Sequence, residues 1–131
     1  GIPPDTPMSR ETQTASERLK LGENLLPGSL HAIRAPKQRS FGTCRDYSLM
    51  LCSMLRHRAV PARVRCGFAT YFPSNPFADH WICEFWSELE NRWIQSDAQL
   101  DQVQREQFGI GFDPADHFQP IEIENLEHVA R

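Results

Sequence analysis

Between residues 43 and 58, apolar side chains recur at Tyr47, Met50, Leu51, Met54 and Leu55. That is the three- and four-residue spacing of a helical stripe. Thr43 and Asp46 stand in capping-box positions at its start, and Arg56-His57-Arg58 close it where the helix dipole is negative. Val60-Pro61 then blocks continuation, so the spacing predicts a helix over 43–58. Along one side of it lie Cys44, Ser48, Leu51, Cys52 and Leu55.

The period then changes from helical to two. Over 62–72, Val64, Cys66, Phe68 and Thr70 point one way, and Arg63, Arg65, Gly67 and Ala69 the other. Over 80–87, His80, Ile82, Glu84 and Trp86 share one face and Trp81, Cys83 and Phe85 the opposite one. Glu90-Asn91 reads as a hairpin turn into a third strand, 92–97, with Trp93, Gln95 and Asp97 on one face. Earlier, Thr14-Ala15-Ser16-Glu17 is a capping-box pattern before Leu19, Leu21, Leu25 and Leu26, which predicts a short helix stopped at Pro27-Gly28. Later, 98–108 is polar and compatible with a helix, 109–120 reads as loop, and Ile121–Glu124 alternates like a short strand. The fold class predicted is α+β, one central helix packed on an antiparallel sheet.

Composition bounds this picture. With 131 residues and 40% of them apolar, the chain reads as one domain, 9–131, behind a proline-rich arm at 1–8. At this size roughly 70% of the unfolded surface can be buried, so no disulfide or metal staple is required. No run of 18 apolar residues is present, and no basic segment leads into an apolar one in the manner of a secretory signal. The chain opens Gly1-Ile2-Pro3 without Met, consistent with a piece of a longer protein or a removed leader. Four cysteines at spacings of 8, 14 and 17 form neither C-x-x-C nor a zinc knuckle, so reduced thiols in a cytoplasm are expected, with no metal and no cofactor.

The net charge of −3 conceals a division: residues 31–65 carry +7 and residues 66–131 carry −9. A nucleic-acid binder would show a basic excess over the whole domain and a recognisable binding motif, and neither is present. Neither nucleic acid nor membrane is therefore expected as a partner.

The order of three residue types suggests chemistry. Cys44 falls at the first position of the main helix, where the positive end of the dipole and nearby Arg39 and Arg45 favour a thiolate. His80 opens the second strand and Asp97 ends the third. In an antiparallel hairpin the start of one strand lies beside the end of the next, so His80 and Asp97 are expected side by side, and a helix N-terminus over that edge would complete a Cys–His–Asp triad. Asp79 and Asp101 lie close enough in sequence to compete with Asp97 for the orienting role. Cys52, Cys66 and Cys83 read as core, His31, His57, His117 and His128 as surface, Trp81, Trp86 and Trp93 as core or cleft walls, and Arg63 and Arg65 as a solvated strand face.

The runs Gly42-Thr43-Cys44-Arg45-Asp46-Tyr47-Ser48, Val60-Pro61-Ala62-Arg63-Val64-Arg65-Cys66-Gly67-Phe68, His80-Trp81-Ile82-Cys83-Glu84 and Trp93-Ile94-Gln95-Ser96-Asp97 together resemble the transglutaminase-like superfamily, over about residues 39–101. Ile82 stands where many members have Trp, and Ala59 where Gly is common. The resemblance implies a papain-like core with Cys44 as nucleophile, His80 as general base and acid, and Asp97 as its orienter. It also implies thiol attack on an amide or peptide carbonyl of a protein, peptide or small amide substrate, resolved by hydrolysis or acyl transfer. The backbone N–H of Cys44 is the natural first oxyanion donor, and Gln38 or a backbone group in 39–42 a second. The competing expectation is a catalytically inert protein-interaction module on the same fold.

Overall fold

The computed structural model describes residues 14–29, 31–75, 77–113 and 123–125. The arm at 1–8 and the histidines His117 and His128 lie outside them. The chain divides into two compact units, Gly1–Thr43 and Cys44–Arg131.

In the first unit, helix α1 (Ala15–Leu25) starts at the expected capping box. The Thr14 hydroxyl accepts from the Glu17 N–H, and the Glu17 carboxylate accepts from the Thr14 N–H at 2.8 Å. A single 3₁₀ turn, Pro36–Gln38, follows. It is held to α1 through Arg34, whose guanidinium donates to the Gly22 carbonyl at 2.7 Å. The buried Arg18 donates to the Phe41 carbonyl at 2.8 Å.

In the second unit, α2 (Cys44–His57) runs into β1 (Ala62–Ala69), β2 (Ala78–Ser87), β3 (Arg92–Ser96), α3 (Gln102–Phe108) and β4 (Ile123–Asn125). The strands form one antiparallel sheet in the order β3-β2-β1-β4. One face of α2 packs on β1 and β2. Cys52, Ala62 and Cys83 are buried at that contact, flanked by Leu51, Leu55, Val64 and Phe85. This is the helical stripe meeting the period-two face read from the sequence.

Helix α2 ends in a Schellman motif. The Val60 N–H reaches the Leu55 carbonyl at 2.9 Å and the Ala59 N–H the Arg56 carbonyl at 3.0 Å. The left-handed residue is Ala59, at φ 60°. Helix α3 ends the same way, with Gly109 at φ 66° in the corresponding place. The hairpin between β2 and β3 turns at Asn91, also left-handed at φ 52°.

Several sequence expectations shift: β2 begins at Ala78, two residues before His80, and β3 ends at Ser96, one short of Asp97. Strand β1 stops at Ala69 rather than continuing to residue 72, so Tyr71 and Phe72 leave the sheet. Arg63 and Arg65 are not simply solvated. The register places Arg63 opposite Glu84, and Glu84 is buried while accepting from Arg63 Nε at 2.7 Å and pairing with Arg65 at 3.5 Å. Gln95, opposite Glu84 on the other side, donates to the same carboxylate at 3.0 Å.

Candidate active site

Antiparallel pairing sets the site. Cys83 pairs with Ser96 at the last rung between β2 and β3. Three residues before Cys83 is His80, and one after Ser96 is Asp97. Both are buried, and His80 Nε2 donates to Asp97 Oδ2 at 2.6 Å. Asp97 Oδ1 accepts from the Gln99 N–H at 3.0 Å, an Asx turn that fixes the carboxylate. Asp101 does not compete: its side chain caps α3, accepting from the Gln104 N–H at 2.8 Å. Asp79 is exposed on β2.

The thiol of Cys44 is the other group that acts on the ring, raising its affinity for a proton. With Nε2 committed to Asp97, Nδ1 is the ring nitrogen left free of that bond. Cys44 is half-buried at the first residue of α2, where backbone N–H groups have no intrahelical acceptor. One turn further along, the buried Ser48 hydroxyl donates to the carbonyl of Trp81 at 2.8 Å. That bond ties the first turns of α2 to the residue beside His80, which fixes the height of Cys44 against the imidazole.

The electrostatics follow from burial and these two neighbours. Burial, the largest influence on His80, disfavours its imidazolium. The hydrogen bonds to Asp97 and Cys44, with the negative charge of both, more than offset it and hold the group up at about 9. Two thiols are also shifted. Cys83 is pushed up to about 12 by burial and by its buried neighbour Cys52. Cys66 is raised by burial, then by Asp79 and Cys44.

An aromatic wall surrounds the imidazole. Phe72 meets His80 edge to face at a centroid distance of 5.1 Å, and Tyr71 does so at 5.9 Å. Phe108 packs on Phe72 and Phe112 on Tyr71, at 5.8 and 5.3 Å. The Tyr71 hydroxyl donates to Asp97 Oδ2 at 2.7 Å. Sequence reasoning missed Tyr71, because Thr70-Tyr71-Phe72 continues the strand-like composition of β1. The available signal was Pro73 just beyond, which argues against a continuing central strand.

Gln38 lies in the first unit, where its side-chain oxygen accepts from the Ala35 N–H at 3.0 Å and closes its own turn. A cavity of about 760 Å³ adjoins Asp97, lined among others by Leu51, Leu100, Asp101, Arg105 and Ile110, and neither Cys44 nor His80 lines it. Among the described residues, no group of three or more His, Cys, Asp or Glu side chains is placed to hold a metal ion. Within them no helix is long and apolar enough to cross a membrane.

Comparison with curated proteins and with solved structures returns no match for the chain. A family model does match, over residues 12–98, and that stretch takes in Cys44, His80 and Asp97 along with α1, α2 and the β1–β3 meander. With two thirds of its length inside that match, the chain belongs to the transglutaminase-like superfamily.

Proposed function

We propose that the chain is a cysteine enzyme that opens an amide or peptide carbonyl through an acyl-enzyme, with Cys44 as nucleophile, His80 as acid and base, and Asp97 as the group that orients and stabilises the imidazolium. The observation that supports this reading is the arrangement around one buried imidazole: Asp97 Oδ2 lies 2.6 Å from Nε2, and the Cys44 thiol is near enough to raise the ring's proton affinity. A histidine serving only the core has no use for a half-buried thiol at a helix N-terminus in its electrostatic reach.

The Cys44 thiolate adds to the carbonyl carbon, and the carbonyl oxygen becomes an oxyanion facing the N-terminal N–H groups of α2, that of Cys44 first. Collapse breaks the C–N bond, and His80 gives its proton to the leaving ammonia or amine. The neutral imidazole then takes a proton from water or from an incoming amine, which attacks the thioester. Cys44 departs as thiolate, and His80 is again imidazolium. No charge leaves the site over the cycle. The substrate is a protein, peptide or small amide.

A cysteine-directed electrophile followed by peptide mapping tests the assignment. Cys44 is labelled first, and Cys44→Ala and His80→Ala each abolish turnover of a glutamine-peptide and amine panel while far-ultraviolet dichroism is unchanged. Preferential labelling of Cys66, or a labelling rate at Cys44 indifferent to His80→Ala, would leave the fold as an inert interaction module.

A further inference from the structure

The carboxylate oxygen that holds His80 is shared. Asp97 Oδ2 accepts from His80 Nε2 at 2.6 Å and from the Tyr71 hydroxyl at 2.7 Å, while Oδ1 takes the Gln99 N–H at 3.0 Å. The Asp97 side chain is wholly buried, so these protein donors stand where water would otherwise solvate it. Tyr71 is not passively placed. The chain leaves the sheet after Ala69 to bring it there, and its ring is set at 90° to Phe112 and tilted against Phe72. Burial, then the charge of Asp97 and its hydrogen bond, push the Tyr71 phenol far above its ordinary range, so it remains a donor at every working pH.

We propose that Tyr71 is a positioning residue for the reaction: by sharing Oδ2 with His80, its hydroxyl fixes the Asp97 carboxylate and tempers how tightly that carboxylate holds the imidazolium. Two donors on one oxygen draw on the same electron density, so each weakens the other. A carboxylate held by His80 alone would bind the proton-carrying imidazole more strongly and make it a poorer acid toward the leaving group. With the Tyr71 hydroxyl in place, the proton stays on His80 and is released more readily. The groups that act electrostatically on the imidazole are Asp97 after β3 and Cys44 on α2, and Tyr71, following β1, reaches it through Asp97.

This role rests on the triad reading, and its test does not require turnover. The His80 ring is followed by nitrogen-resolved NMR between pH 6 and 10.5 in the wild type, in Tyr71→Phe, and in Tyr47→Phe protein carrying 3-fluorotyrosine at position 71. Fluorination strengthens the phenol as a donor, and Tyr47, 44% exposed on α2, is removed so that only one ring is altered. Tyr71→Phe moves the His80 titration up by about half a unit, roughly threefold in the protonation equilibrium, and its Nε2 proton further downfield. Fluorotyrosine moves both the other way. In turnover, Tyr71→Phe lowers kcat and leaves KM unchanged. Titrations that coincide in all three proteins, with stability alone reduced in Tyr71→Phe, would overturn the role. If His80 shifts as described while Cys44 proves unreactive, the fault lies with the nucleophile assignment and not with Tyr71.

Discussion

His80 Nε2 and Asp97 Oδ2 sit 2.6 Å apart with both side chains almost wholly out of solvent, so the imidazolium is held by a charge that water cannot screen. His80 titrates at about 9 in the fold against 6.5 ordinarily. The folded state therefore binds the proton more tightly than the unfolded chain. Its contribution to stability is fully present below pH 6.5, declines between 6.5 and 9, and is lost above 9. Asp97→Asn removes the charge that raises His80. Urea midpoints of wild type and variant should differ more at pH 6 than at pH 9.5, and the variant should lose about 10²- to 10⁴-fold in turnover.

Ser48→Ala tests the tie between α2 and β2. The hydroxyl is buried and donates to the Trp81 carbonyl. Its loss leaves that carbonyl unsatisfied and lowers stability by about 1–2 kcal/mol. It also loosens the approach of Cys44 to His80, so turnover should fall about tenfold or more with little change in KM, because small misplacement of a reacting group is expensive. Equilibrium unfolding and steady-state kinetics on the same preparation separate the two effects.

The ladder on Glu84 makes an asymmetric prediction. Arg63 is 44% exposed at its side chain and Glu84 only 5%. Removing Glu84 frees an arginine that water can hydrate. Removing Arg63 strips a buried carboxylate of its nearest donor and takes away the guanidinium stacked 4.1 Å from the Trp93 ring centroid. Arg63→Ala should therefore destabilise by about 1–3 kcal/mol and more than Glu84→Gln, as read by chemical unfolding. Neither change should alter the pH dependence of turnover.

Much of this site could be read from the sequence because it uses the ends of elements, and ends are what periodicity and turn signals mark. Cys44 opens the helix that the apolar stripe defines, and His80 and Asp97 fall where a hairpin brings strand ends together. What escaped was the partner of each polar group. Alternation put Arg63 on one side of its strand and Glu84 on one side of the next, but not the two on one rung; that depends on the register from Ala62–Phe85 onward. Spacing favoured Asp97 with Asp79 and Asp101 as competitors, and Asp101 is taken up as the cap of α3. Tyr71 was hidden more deeply, since its β-rich neighbourhood argues for strand and only the buried carboxylate of Asp97 draws it away.

Ala59 offers a stabilising substitution. It holds the left-handed position of the motif that ends α2, at φ 60°, where a Cβ crowds the backbone. The equivalent position after α3 is Gly109. Ala59→Gly relieves that crowding and should raise stability by about 1 kcal/mol, less the extra freedom glycine gives the unfolded chain. Thermal unfolding checks it, and turnover should be unchanged.

Turnover and thiol alkylation make different demands on the His80 proton. Under the proposed mechanism the imidazolium must be present to protonate the leaving amine. As pH rises through about 9 that proton is lost, and kcat/KM should then fall about tenfold per pH unit. Alkylation of Cys44 by iodoacetamide needs a thiolate and no proton donor, so its rate should not fall across the same range. In Asp97→Asn the carboxylate charge that helps lift His80 is gone, while the burial that opposes its protonation remains. The alkaline limb of turnover should move to lower pH by about one unit or more, while the alkylation rate above pH 9 stays close to that of wild type. A limb that remains at about 9 in Asp97→Asn would show that another group supplies the proton.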